Sequence, residues 1–147
     1  MVLIAYDGSP HARAAIAHAG ATLRPGPAVV ATAWTSFADS APRAVLRNVV
    51  LPVVEDLDVA GREEAEELAA EGAELARAAG FEAQPRAVRA GGPFFAALLE
   101  VADEIDAGVI VAGSRGRSSV AAAVLGSVST GILHHTTRPV LVIRDES

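Results

Sequence analysis

Glycine falls at positions 113, 116 and 126, with a serine at 127, in the stretch GSRGRSSVAAAVLGS that runs from Gly113 to Ser127. Glycines at a strand end let a backbone approach an anion closely, and amides at a helix start donate to anionic oxygens. Ser127, and with it Ser114, would add hydroxyl donors. The chemistry this spacing suggests is phosphate binding by backbone. The same spacing is equally readable as a strand-to-helix turn at Gly113 and Gly116 followed by close helix packing at Gly126. Arg115 and Arg117 lie in the loop, each either a phosphate partner or a solvated arginine.

The residues that are missing narrow the chemistry. All 12 cationic residues are arginine, and there is neither lysine nor cysteine. Schiff-base catalysis, a lysine-bearing Walker loop, thiol catalysis and cysteine-ligated zinc are therefore excluded. The loop is not the dinucleotide fingerprint either, because that follows a first strand. Gly116-Arg117-Ser118-Ser119-Val120 lacks the last glycine of a nucleophile elbow, which leaves a hydrolase triad without an anchor. His11 and His18 stand two helical turns apart, roughly 10 Å by helix rise, too far to share a metal. Asp103, Glu104 and Asp106 read as a polar helix end, and His134 and His135 as cations favouring a helix C-terminus. No catalytic acid–base pair and no metal site is expected.

These residues need elements to position them. The run MVLIAY (1–6) is continuously apolar, as in a strand buried on both faces. Ser9 then reads as an N-cap and Pro10 as a first helical residue. Ala12, Ala15, Ile16, Ala19 and Leu23 give that helix one apolar face, and Pro25-Gly26-Pro27 ends it. Ala28–Trp34 is a second strand. Residues 35–56, punctuated by Pro42 and Pro52, read as a partly ordered crossover loop in which Ala44–Val54 is apolar enough to pack as a short helix. A helix from about Leu57 to Gly80 carries a stripe through Ala65, Leu68, Gly72, Leu75, Ala76 and Ala79. Nine of the 18 acidic residues fall in 55–74, which reads as a solvated face. Phe81–Arg89 is an outer strand because of Pro85, Pro93–Ile105 a helix, and Gly108–Ala112 a buried strand. A last helix runs from Ser119 or Leu125 to His135, and Pro139–Ile143 is the final strand.

Five strands alternating with about four helices imply an α/β fold, an open parallel sheet with helices on both faces. Ligands of such sheets bind where the strand order reverses, at the carboxyl ends. The length of 147 residues suits one domain, 1–147, with 51% hydrophobic residues supplying its core. A net charge of −6 with scattered arginines argues against nucleic-acid binding. No apolar run reaches the ~20 residues of a membrane span, and the first residues lack the basic flank of a signal peptide. A cytoplasmic protein is expected. The alanine-rich, lysine-free balance carries no functional weight at this level.

Gly-x2-Gly-x9-Gly-Ser, preceded by Val109-Ile110-Val111 and followed by His134-His135 and Pro139-Val140-Leu141-Val142, resembles the universal stress protein family. So does the opening Ile4-Ala5-Tyr6-Asp7-Gly8-Ser9. The likeness spans essentially the whole chain and is weakest over 35–56. It implies a Rossmann-like sheet of order 3-2-1-4-5, of the adenine nucleotide alpha hydrolase type, with ATP or another adenine nucleotide in the crevice, with or without Mg2+. Asp7, otherwise only a turn-former beside Gly8, would contact the adenosine part, and Ala33 would line the adenine pocket. Gly113, Gly116, Gly126 and Ser127 would hold ribose and phosphates, with Arg115 or Arg117 helping to offset charge. Two departures are Ser118-Ser119, where glycines are frequent, and Phe94-Phe95, where small and acidic residues are more usual. Of those two rings, one is expected in the core and the other at the surface or on a partner.

The last strand, Val140–Ile143, carries no charge to blunt an edge, so a homodimer across it is expected, as the resemblance also implies. The leading expectation is a homodimeric ATP-binding regulatory or protective module acting through unknown protein partners. Two others stand beside it: a slow ATPase or phosphotransferase in which Asp7 orients a metal or water, and an interaction protein of the same fold that binds no nucleotide and presents Phe95 and the acidic helix.

Overall fold

Strand β1 (Val2–Ala5) alternates its side chains between the two faces of the sheet, and this alternation organises both cores. Leu3 and Ala5 face one helical layer, Ile4 and Tyr6 the other, and all four are buried. The computed structural model describes residues 1–117 and 125–145. In chain order they form β1, α1 (Pro10–Thr22), β2 (Pro27–Trp34), α2 (Phe37–Ser40), α3 (Arg43–Leu46), α4 (Leu51–Ala78), β3 (Glu82–Arg89), α5 (Phe94–Glu104), β4 (Val109–Gly113), α6 (Ser127–His135) and β5 (Val140–Ile143).

The sheet is parallel throughout, in the order β3-β2-β1-β4-β5. This is the order that the resemblance implies. β1 sits at its centre, with Val2 opposite Ala28 of β2 and Val109 of β4. Helices α1 and α4 cover one face, and α5 and α6 the other. Pro85 lies in β3, an edge strand, where a missing ladder donor is tolerated.

The local signals for α1 hold in detail. Ser9 Oγ accepts the Ala12 amide at 3.1 Å, Pro10 opens the helix, and Ala12, Ala15, Ile16 and Ala19 are buried. Alanine is the commonest buried residue among those described, on strands and helices alike. Its abundance therefore has a structural use that composition did not reveal, because small side chains let the helices lie close on the sheet.

Residues 35–56 differ from the expected loop. They fold as α2, α3 and the opening turns of α4, so the described residues hold six helices rather than about four, and the long helix begins at Leu51 rather than Leu57. Pro52 falls in the first turn of α4, where its missing N–H breaks no hydrogen bond. Asp58, grouped in sequence with the solvated acidic face, is the anchor of this segment. Its carboxylate accepts the Ser36 hydroxyl and the Phe37 amide, both at 2.7 Å, and these two hydrogen bonds hold the Asp58 carboxyl below the usual carboxylate range. The last helix begins at Ser127. The part of that expectation falling on 118–124, Ser118 and Ser119 included, lies outside the described residues.

The polar helix end is paired throughout. Arg138 donates to Asp106 and Asp103, each at 3.2 Å, and to the Ala107 carbonyl, while Glu104 pairs with Arg86. These contacts tie the start of β5 to the α5–β4 turn, where Asp106 takes a left-handed φ of 47°.

Two glycines of α4 should respond oppositely to alanine. A Cβ on Gly72 would sit 2.8 Å from the Tyr6 ring and from Val30 Cγ1, atoms fixed in or beside the sheet. Overpacking of about 1–3 kcal/mol outweighs the ~1 kcal/mol of helix propensity that alanine adds. A Cβ on Gly61 would meet only Trp34 Cε3, at an ordinary 3.7 Å. Thermal unfolding should show Gly72→Ala melting lower and Gly61→Ala melting higher than wild type; equal shifts would contradict this packing. Asp58 adds a pH dependence. Its folded value lies below the unfolded ~3.9, so its contribution is complete above about pH 4 and is lost as pH falls through the folded value. The Phe37 amide should be protected from hydrogen exchange, relative to its intrinsic rate at the same pH, at neutral pH, and should lose that protection in acid or in Asp58→Ala.

Candidate functional site

The chain reverses direction across the sheet between β1 and β4, and their carboxyl ends open a crevice. β1 leads into Asp7, then Gly8 at φ 77°, a conformation that glycine adopts without strain. This turn delivers Ser9 to cap α1. Asp7 Oδ1 accepts the Ser9 amide at 3.0 Å, and Oδ2 accepts the Arg117 amide at 3.1 Å. One carboxylate therefore fastens the β1 turn to the loop after β4. Each of its oxygens accepts one backbone donor, so Asp7 holds the two segments in place and keeps acceptor capacity facing the crevice.

The loop glycines are explained by that fastening. A Cβ on Gly116 would lie 2.8 Å from Asp7 Oδ2. A Cβ on Gly113 would lie 2.7 Å from the carbonyl carbon of His11 and 2.9 Å from the Ala12 amide, so α1 crosses the end of β4 only because Gly113 has no side chain. A Cβ on Gly126 would press on Arg115 Cα at 3.3 Å. The Gly126 amide donates to the Ser114 carbonyl at 2.7 Å, and Ser129 Oγ donates toward the Ser114 and Gly126 carbonyls. Each glycine thus makes room for protein. The Gly126 amide is engaged within the loop, and the amides that follow it are those left at the start of α6. Ser114 is buried and works through its backbone.

Helix α6 begins at the crevice with Gly126 as N-cap and no side chain capping it. The amides of Ser127, Val128 and Ser129 precede the first intrahelical bond, Thr130 to Gly126, and have no acceptor within the helix. Together with the helix dipole, they suit an anion.

Around these groups lies a cavity of about 570 Å³, within the range of small-molecule sites. Asp7, Ala33, Gly113, Arg115, Gly116, Gly126 and Ser127, all expected from sequence, line it together. Arg117 lines it too, and its guanidinium pairs with Glu64 of α4 at 3.0 Å. Tyr6 contributes its ring, while its hydroxyl donates to Glu71; burial, first, and then Glu71 push the phenol well above its usual value.

Sequence reasoning missed the apolar walls: Leu68 from α4, Phe94 and Leu98 from α5, Leu125 before α6 and Val128 within it. Phe94 and Leu98, four apart on one helix, were the available signal. The two phenylalanines divide clearly. Phe95 packs into the core, against Gly131 of α6, and stacks on His135 with ring centroids 4.9 Å apart. His135 is thus a packing partner, and Phe95 is half-buried against the core and this ring. Phe94, 37% exposed, sits at the cavity. His11 is half-buried, its Nδ1 accepting the Asp145 amide at 3.1 Å, and His18 is exposed.

Comparisons with known proteins agree with this fold. Among solved structures, the hypothetical protein MJ0577 superposes with a TM-score of 0.78 at 21% identity, covering 99% of this chain and 96% of that one. A universal stress protein in complex with cAMP gives 0.64 at 28% identity, covering 97% and 94%. One from Archaeoglobus fulgidus in complex with dAMP gives 0.66 at 21%, covering 97% and 95%. No curated protein matches the sequence significantly. Residues 1–144 match the Universal stress protein family, and the chain belongs to that family.

Proposed function

We propose that this chain binds an adenine nucleotide, ATP with or without Mg2+, in the cavity between β1 and β4, and that the bound state regulates its contacts with other proteins in the cytoplasm. The observation that carries the reading is the convergence of seven residues, named from one loop motif and from the family resemblance, on one cavity that the uncapped start of α6 enters. The cAMP and dAMP complexes of the family support an adenine ligand.

Phosphates fit the amides of Ser127, Val128 and Ser129, with Arg115 and Arg117 beside them. The ribose falls at the Asp7 turn, and the base toward Ala33 on β2. Two strand spacings, ~10 Å, separate the β2 and β4 ends, a suitable span for base and phosphates. No lysine is needed, because fixed amides, which require no reorganisation, share the charge with arginine and metal.

We also propose a homodimer through β5. This strand is a sheet edge, its residues Val140 to Ile143 are half-buried and uncharged, and such an edge favours pairing with a second chain. Among the described residues no helix is long and apolar enough to cross a membrane.

Ser127→Pro tests the phosphate site without disturbing the fold. Gly126 has φ −64° and ψ 158°, which suits a residue before proline, and proline is welcome at the first helical position. The change removes one amide donor. A hydrogen bond to a charged group is worth about 1.5–3 kcal/mol, so calorimetry should show Mg-ATP binding weakened roughly 10- to 150-fold. Ser127→Ala separates out the hydroxyl. Wild-type affinity in Ser127→Pro would remove α6 from the site. For the dimer, light scattering at micromolar concentration should give twice 15.0 kDa. Val142→Lys, on a side chain outside both core clusters, should give the monomer mass. A monomeric wild type would refute the interface.

A further inference from the structure

Phe94 is a large apolar side chain left 37% exposed at the first position of α5, beside a cavity whose charged lining residues, Asp7, Arg115 and Arg117, come from the β1 turn and the loop after β4. Its position is set by the preceding connection. The Ala90 amide donates to the Trp34 carbonyl at 2.7 Å, so the chain leaves β3 at the end of β2, and Gly91, Gly92 and Pro93 bring it into α5. Helix α5 therefore starts over the β2 side of the crevice, where Ala31 and Ala33 form the floor, whereas the α6 amides and the loop after β4 lie on the other side. Leu98, one turn further along α5, continues the wall, and Leu68 of α4 stands on the opposite helical layer.

This half of the cavity is an apolar slot. The polar side chains within it are already engaged: the Thr32 hydroxyl donates to the Tyr6 carbonyl at 2.9 Å, and the Tyr6 hydroxyl reaches Glu71. The slot therefore suits a group recognised by its face, a flat aromatic ring, rather than one recognised by side-chain hydrogen bonds along its edge. We propose that Phe94 is the stacking platform for the nucleobase, and that it makes this site select base-bearing nucleotides over bare polyphosphates. The inference rests on the nucleotide reading above and adds to it a residue that decides specificity. Ring stacking accounts for an exposed phenylalanine at a helix start, where packing alone would place the ring in the core, as it does with Phe95.

The test measures ATP and inorganic tripolyphosphate binding by calorimetry in wild type, Phe94→Ala, Phe94→Leu and Phe94→Tyr. Base–aromatic stacking predicts that ATP affinity falls about 10-fold in Phe94→Ala and Phe94→Leu and is retained in Phe94→Tyr, while tripolyphosphate affinity is the same in all four. Undiminished ATP affinity in Phe94→Leu would reduce the ring to a generic apolar contact and overturn the proposal. So would equal weakening of both ligands in Phe94→Ala, or equal affinities for both in wild type, although the phosphate site would then stand. A wild type that binds neither ligand would overturn the nucleotide site together with the proposal.

Discussion

The carboxylate of Asp7 accepts one amide from the turn after β1 and another from the loop after β4, and the geometry of the crevice follows from those two bonds. The turn they stabilise brings Ser9 to cap α1, and α1 can then cross β4 only at Gly113. The loop they hold passes so close to Asp7 that a side chain at position 116 would press on its carboxylate. Once Ser114 and Arg115 are placed, Gly126 docks against them and fixes where α6 begins. The three glycines and the acidic residue thus form one mechanical unit whose product is an uncapped helix start aimed into a cavity.

That unit is what would let a lysine-free chain of net charge −6 hold the proposed anion. A helix start contributes roughly half a positive charge, with donors fixed in direction. Arg117 is shared with Glu64 on α4, so the charge of the proposed triphosphate would be balanced chiefly by backbone amides and by any metal the ligand brings. The apolar half of the cavity works differently, through shape and surface. Division of labour between the β4 and β2 sides is a consequence of the topology, since the strand order reverses between them.

Much of this was legible in the sequence because short signals determined it. Ser9-Pro10 announced α1, continuous apolar runs announced the central strands, Pro85 announced an edge, and the glycine spacing announced the loop. What stayed hidden depends on distant partners. Asp58 looks like one more charge on a solvated helix until Ser36 and Phe37 fold back onto it. Pro52 looks like a breaker until the helix is seen to start there. The glycines suggested room for a ligand, whereas their side-chain positions are filled by His11, Asp7 and Arg115. Phe94 and Phe95 are indistinguishable by type, and only the crossing of α5 over α6 sends one to the core and the other to the cavity.

The central claim is that an adenine nucleotide sits at the β1–β4 reversal with its phosphates on α6. Backbone amide NMR during an ATP titration tests it most directly. The account predicts saturable shifts concentrated at Ser127, Val128 and Ser129, smaller ones around Ala33 and Phe94, and none along the first turns of α4. Saturable shifts elsewhere with the α6 amides unmoved, or no shifts at millimolar ATP, would contradict it.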